Sequence, residues 1–137
     1  DVSLPEFIVD REKLIQAILN IARNGAQAMK SSNHDNMQLS FVTRAERQIV
    51  FRKKKHATAI RIDIIDNGPG IKNELIDKIF FPLVTGKENG SGLGLSLSQN
   101  LISLHQGMID CHSVPGKTVF SIILPIENNL MPTKEKK

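Results

Sequence analysis

Two asparagines one helical turn apart, Asn20 and Asn24, head the residues of this chain that could do chemistry. Side chains at i and i+4 share a helix face. A carboxamide oxygen is a hard, neutral donor suited to Mg²⁺, which prefers oxygen ligands and keeps several waters. The same spacing also fits a merely solvated face. Further on, Asp66-Asn67-Gly68-Pro69-Gly70 directly follows an apolar run. Glycines flanking a proline make a tight turn whose backbone can approach a ligand closely. Asp66, at the end of the run, could accept from an exocyclic amine; turns of this composition also occur without a ligand. Third, Gly90-Ser91-Gly92-Leu93-Gly94-Leu95 opens a helical pattern. Backbone N–H groups there can converge on an anion at the favourable end of a helix dipole, the physics of a phosphate cradle. The Lys-Ser/Thr of a Walker loop is missing, as is the acidic residue of a dinucleotide fold, and a flexible linker is the alternative. Between these lies Phe80-Phe81-Pro82-Leu83-Val84-Thr85-Gly86-Lys87. It reads as a lid whose Lys87 reaches a phosphate, or as core followed by loop.

The elements that must position these residues follow from periodicity. Residues 3–9 alternate weakly and could form a strand. Asp10 is a good N-cap for a helix with Glu12 in its first turn. Leu14, Ile15, Ile18, Leu19, Ala22, Ala26 and Met29 recur at helical spacing. Asn20 and Asn24 then point away from the Leu14–Ile18–Ala22–Met29 stripe. The helix should stop near Lys30, before the turn formers of 31–36. Met37–Thr43 and Gln48–Phe51 read as strands, and Ala57–Asp66 as the clearest one, with Ile60, Ile62 and Ile64 alternating. Lys72–Ile79 suggests a short helix, 80–92 a mobile loop, and Leu93–His105 a second long helix. Met108–Val114 and Thr118–Leu124 read as closing strands joined at Pro115-Gly116. This order predicts an α/β two-layer sandwich, one mixed β-sheet with helices packed on a single face. The domain is expected over 1–127, with 128–137 a polar, disordered tail.

Composition narrows the function classes. The chain has 137 residues, 40% hydrophobic and 23% charged, which suits one soluble domain. Its apolar runs are too short to span a bilayer, and its N-terminus does not resemble a signal peptide. A start without Met on strand-like residues reads as a piece of something longer. The single Cys111 excludes an internal disulfide and any multi-cysteine metal site, and reads as a small buried hydrophobe in a reducing, cytoplasmic setting. The net charge of +4 invites a nucleic-acid partner, but the chain holds no Trp or Tyr for stacking on bases. Arg52-Lys53-Lys54-Lys55 and the lysines of the tail explain the excess as solvated loop and terminus.

Taken together and in this order, the segments resemble the Bergerat-type ATP-binding domain shared by gyrase B, heat-shock protein 90, histidine kinases and MutL. LIQAILNIARNGAQAM resembles the N box, DNGPG the G1 box, FFPLVTGK the F box and GSGLGL the G2 box, with GKTVFSIILP similar to the last strand. The F box singles out histidine kinases, and the resemblance covers about residues 3–126. The span TRAERQIVFRKKKHATAIRIDIIDNGPG, with VTGK, SLSQNLISLHQG and the Pro-Gly-Lys-Thr turn, is similar to nitrogen-regulation sensor kinases.

The resemblance implies ATP and Mg²⁺ as cofactors. It gives Asn24 the Mg²⁺ and places Asn20 where hydrolysing branches hold a catalytic Glu. An amide cannot act as a general base, so transfer to water is disfavoured. Asp66 matches the adenine-binding carboxylate, Gly68 and Gly70 its turn, Gly92 and Gly94 the phosphate-facing glycines, Lys87 a lid lysine that joins Asn20 and Asn24 in catalysis, and Thr118 a threonine near adenine. Ile71, Phe80, Thr85, Ser91, Leu93 and Leu95 complete the implied nucleotide set. Two departures stand out. Gly25 replaces the usual Ala and should weaken the helix by about 1 kcal/mol. Gln27 replaces a frequent basic residue, so phosphate charge would fall to Arg23 or Lys30. None of His34, His56, His105 and His112 fits the phosphoacceptor pattern, and His105 and His112 read as structural. The implied activity is transfer of the γ-phosphoryl group to a histidine on a separate dimerisation domain. The implied partners are a nitrogen-response regulator and a PII signalling protein, with no membrane or nucleic acid. An ATP-hydrolysing module or protein-serine kinase, and a binding module without catalysis, are the alternatives.

Overall fold

A computed structural model of the chain describes residues 1–32, 35–51, 53–82 and 94–126. Helix α1 spans Arg11–Ser31, and its N-cap Asp10 accepts from the Lys13 amide at 3.1 Å. That bond satisfies one of the four orphan donors of the first turn and holds the Asp10 carboxyl below its ordinary value. Strand β1 runs Leu39–Phe51 and β2 Lys54–Asp66, followed by the short α2 (Asn73–Ile76), α3 (Gly94–Ser103), β3 (Met108–Val114) and β4 (Lys117–Ile126). The sheet order is β1-β2-β4-β3. All three pairings among the described residues are antiparallel, where a mixed sheet was expected. The β3–β4 hairpin and the long β1–β2 ribbon need no parallel crossover.

Side chains alternate across the sheet. Ile60, Ile62 and Ile64 of β2 and Phe120, Ile122 and Leu124 of β4 face α1 and α3, and form the core with Ala17, Ile21, Leu101 and Ile102. At about 25 cal/mol per Å² of apolar surface, this one cluster is the main stabilising mass of the domain. The opposite face carries polar links. Asp63 and Ser121 are buried there, with Ser121 Oγ donating to Asp63 at 2.6 Å. Arg61 Nε donates to the same carboxylate at 2.9 Å, and Arg61 also reaches Glu46 and Ser121.

Three expectations change. Residues 3–9 form no strand, because Pro5 lacks a donor; Leu4 and Phe7 instead pack against the core. The two short strands over 37–51 are one strand, with Gln48 at a left-handed φ of 55°. The α1 stripe is rotated from the one expected: Ala17, Ile21, Ala22, Gly25 and Met29 are buried, while Ile15 and Leu19 are nearly half exposed and Ala26 faces solvent.

Helix α3 stops in a Schellman arrangement. Gln106 adopts φ 61° and donates to Ser103, and Gly107 donates to Ile102 at 3.1 Å. Just before it, His105 Nε2 accepts the Asp10 amide at 3.0 Å while Nδ1 meets the Leu101 carbonyl at 2.9 Å. Those partners require the tautomer with its hydrogen on Nδ1. His105 is thus structural, as expected. His112 is not: it is an exposed side chain beside Asp110.

Candidate functional site

Asp66 is the last residue of β2 and is 6% exposed. An apolar strand delivers a carboxylate into the junction between sheet and helix, where burial is costly unless its oxygens find donors. Oδ1 accepts from the Gly68 amide at 3.0 Å. Oδ2 lies against α1 at Gly25, where a Cβ would approach it to 2.9 Å. Gly25 is therefore no simple weakness in the helix. Its missing side chain lets the Asp66 carboxylate lie flush with α1, one residue from Asn24.

The turn after Asp66 is tied from three sides. Asn67 Oδ1 accepts from the Gln38 amide at 2.9 Å, and Asn67 Nδ2 donates to the Asn36 carbonyl at 2.7 Å. The Gly116 amide donates to Gly68 at 2.9 Å, joining the turn to the β3–β4 hairpin. Gly70 has φ +87°, a conformation L side chains rarely adopt, and a Cβ there would meet the Val114 carbonyl at 2.9 Å. The Ile71 amide donates to Ser113 Oγ at 2.8 Å.

Asp66 pairs with Thr118 across β2–β4, and Thr118 pairs with Ser113 across β4–β3. One row on the helix-facing side therefore reads carboxylate, hydroxyl, hydroxyl. Thr118 is 3% exposed, and its Oγ1 is 2.7 Å from Ser113 Oγ.

Helix α1 supplies the other wall. At about 100° per residue, Asn24 falls beside Ala17 and Asn20 beside Asn24. Both asparagines are half-buried on the flank of the core stripe rather than opposite it, which corrects the expected geometry. Asn20 Nδ2 is buried without a hydrogen-bond partner among the described residues. An unmatched buried donor costs about 1–3 kcal/mol, so the position fits a site completed by a ligand. Arg23, Gln27 and Lys30 are exposed on the same helix. The start of α3 is fastened to α1 by Ser98, whose hydroxyl reaches the Ala17 carbonyl and the Gly94 carbonyl, each at 3.1 Å. Among the described residues, a Cβ at Gly94 would meet nothing within 4 Å. Packing among the described residues does not require that glycine, and a glycine there permits close approach of a ligand.

Of the other expected site residues, Ile71, Phe80 and Leu95 pack partly buried against the core. Phe80 stands edge-on to Phe120, with ring centroids 6.3 Å apart. Thr85, Lys87, Ser91, Gly92 and Leu93 lie outside the described residues. Among the described residues no group of three or more His, Cys, Asp or Glu could hold a metal ion. Cys111, expected to be buried, is half-buried against the core; burial, then the charges of Asp110 and Asp66, push its thiol up to about 12. Sequence reasoning missed Ser98, Ser113 and the clamp made by Asn67. Ser113 was recoverable, since a two-residue Pro115-Gly116 turn sets Val114 opposite Lys117 and hence Ser113 opposite Thr118.

A carboxylate at a strand end, glycine turns around it, paired asparagines on the facing helix and a glycine-led second helix define a nucleotide-binding α/β sandwich. The chain belongs to the histidine kinase-, DNA gyrase B- and HSP90-like ATPase family, whose model matches residues 9–128. It is similar to the sensory histidine kinase/phosphatase NtrB of Vibrio alginolyticus, 48% identical over 92% of this chain and 35% of that protein. The NtrB of Salmonella typhimurium is 44% identical over the same shares. The chain thus spans about a third of the length of these curated relatives. Among solved structures, the catalytic domain of histidine kinase ThkA superposes with a TM-score of 0.68 at 27% identity, covering 86% of this chain and 69% of that one. The mycobacterial sensor histidine kinase MprB shares the fold, with a TM-score of 0.67 at 22% identity over 88% of this chain and 77% of that one. No helix among the described residues is long and apolar enough to cross a membrane.

Proposed function

We propose that this chain is the catalytic, ATP-binding part of a sensor histidine kinase in a two-component system of nitrogen regulation. It hands the γ-phosphoryl group of ATP to a histidine on a separate helical dimerisation domain. The observation that carries the reading is the contact of Asp66 with α1 at Gly25, which sets the carboxylate beside Asn24.

Asp66, taking the Gly68 amide on Oδ1, keeps acceptor capacity for an exocyclic amine of adenine. Asn24 would give its amide oxygen to Mg²⁺. The described residues offer no acidic cage, so the remaining ligands would be phosphate oxygens and water. When bound, Mg²⁺ supplies charge neutralisation along the triphosphate. Asn20, whose buried Nδ2 is unmatched among the described residues, would offer its amide hydrogens to acceptors of a bound nucleotide and cannot take a proton from water, which favours transfer over hydrolysis. The glycines that open α3 would meet the phosphates with backbone N–H groups, and Arg23 or Lys30 would add charge. The chemistry left to the protein is positioning and electrostatics. The P–O bond to the β-phosphate breaks as a P–N bond to the imidazole forms, ADP leaves, and the ring N–H proton passes to solvent. The resemblance to nitrogen-regulation kinases supports a nitrogen-response regulator and a PII protein as partners.

The test is transfer in trans. Given γ-labelled ATP and a helical dimerisation domain carrying a sensor kinase's acceptor histidine, the chain should place acid-labile label on that histidine. Incubated alone, it should acquire none stoichiometrically. Steady release of inorganic phosphate with no labelled histidine would sink the kinase reading.

A further inference from the structure

We propose that the tip of the β1–β2 ribbon is a docking element for the acidic face of a partner protein, with Arg47, Lys53, Lys54 and Lys55 as its charges and the exposed Val50 as its apolar anchor. The proposal goes beyond the kinase reading and does not depend on the nucleotide pocket.

Charge and topology carry the inference together. The formal net charge of the chain is +4, and these four basic residues, all exposed, match it by themselves. No acidic residue occurs between Glu46 and Asp63, so nothing along the two strands balances the positive end of the ribbon. A solvated loop was expected here, but Lys54 and Lys55 belong to β2 and pair with Phe51 and Val50 of β1. The pairing of β2 with β4 begins only at Thr58, so the ribbon runs on past the other strands of the sheet. Gln48, at φ 55°, breaks the extended run, and Ile49 then packs in a second apolar cluster with Ala59, Ile123 and Met108. That contact anchors the projecting end. Its charges therefore stand on a supported hairpin, and less ordering entropy is lost when a partner binds.

Position selects the class of ligand. Lys55 and Asp66 lie near opposite ends of β2, on the order of 30 Å apart at about 3.3 Å per residue. Charges are screened beyond about 8 Å at physiological ionic strength, so the tip does not serve the phosphates of a nucleotide held at Asp66. Val50 is 59% exposed and pairs with Lys55 in the middle of this charge. An apolar anchor inside a basic rim suits a protein face on which carboxylates surround an apolar spot. A nucleic-acid backbone has no use for the valine, and the chain has no Trp or Tyr to stack on bases. A bilayer would need more apolar surface to insert than one valine supplies. Crowding like charges also costs the ribbon stability, which carboxylates of a partner would offset.

The experiment measures binding of a labelled glutamate-rich peptide with a central leucine to the intact chain by fluorescence anisotropy. Duplex DNA and vesicles of phosphatidylserine and phosphatidylcholine serve as rival probes. Wild type should bind the peptide, and added salt should weaken the binding. Arg47→Gln combined with Lys53→Gln, Lys54→Gln and Lys55→Gln should weaken it at least about tenfold, with ATP binding unchanged. Lys53→Gln with Lys55→Gln, which keeps two of the charges, should lose about threefold and keeps the test decisive should the fourfold variant fold poorly. Val50→Ser should cost about threefold as well, but only with the peptide that carries the leucine. Lys134→Gln with Lys136→Gln and Lys137→Gln removes charge elsewhere and should change peptide binding less than about twofold. Equal peptide binding by wild type and the tip variants overturns the proposal, as does an equal loss in the tail variant. A parallel loss of ATP binding would mark a structural role and overturns it too. Tighter binding of wild type to DNA or to vesicles than to the peptide would make the partner a nucleic acid or a membrane, and the proposal would be wrong.

Discussion

Gly25 and Asp66 show how a single missing methyl can set a binding group. Alanine at position 25 would be better for the helix by about 1 kcal/mol. Its methyl, however, would stand 2.9 Å from Asp66 Oδ2, closer than real Cβ contacts come. The carboxylate cannot simply swing away, because Oδ1 is held by the Gly68 amide. Gly25→Ala should therefore lower the melting temperature, because the clash outweighs the gain in helix propensity, and weaken ATP binding about tenfold, one lost charge-assisted bond. A melt beside a calorimetric titration reads both, and an unchanged affinity would show that the close fit is incidental. From composition alone this glycine looks like a helix defect, because sequence carries propensity but not the tertiary contact that overrides it. Asp66, Gly68 and Gly70 were legible for the opposite reason: a strand ending in a glycine turn is local chemistry. Asn20 and Asn24 were legible as a pair but not in orientation. Leu14 and Ile18 gave the α1 stripe an apparent centre that the small residues Ala17 and Gly25 displace.

At the scale of elements, the sheet is polarised. Its helix-facing side is aliphatic, and its far side is bound by Arg61, Asp63, Ser121 and Glu46. Burial raises the Asp63 carboxyl, but the hydrogen bonds from Ser121 and Arg61 and the charges of Arg61 and Arg44 outweigh it, so its net value is lowered. A depressed carboxyl contributes stability that is fully present above its unfolded value, near 3.9, and is lost as pH falls through the lower folded value. Asp63→Asn should cost about 1–3 kcal/mol at neutral pH, because Arg61 and Ser121 lose a charged acceptor. It should also flatten the acid limb of the stability curve. Urea unfolding across pH 2–7 measures this; identical acid limbs for variant and wild type would contradict it. The alternation of Ile60, Ile62 and Ile64 announced β2, but the network on the other face depends on cross-strand register and was not legible. Nor was the strand count over 37–51, since the polar stretch Arg44–Gln48 interrupts the apolar pattern while the backbone ladder continues to Phe51.

At the scale of the whole molecule, three separate ties converge on one pocket. Gly25 seats Asp66 against α1, Ser98 fastens the start of α3 to Ala17, and the Gly116 amide binds the closing hairpin to the turn at Gly68. Each joins segments far apart in sequence, so the motifs meet only when the two layers have packed. That is why the order of the motifs along the chain was informative while their distances were not. A kinase domain of this kind must take its nucleotide through Asp66. Calorimetric titration with ATP, with and without Mg²⁺, on wild type and Asp66→Ala tests it most directly. Wild type should bind ATP in the micromolar range, about −8 kcal/mol, more tightly with Mg²⁺, and Asp66→Ala should lose at least tenfold. Binding by Asp66→Ala equal to wild type, or no heat from a folded wild type, would contradict it.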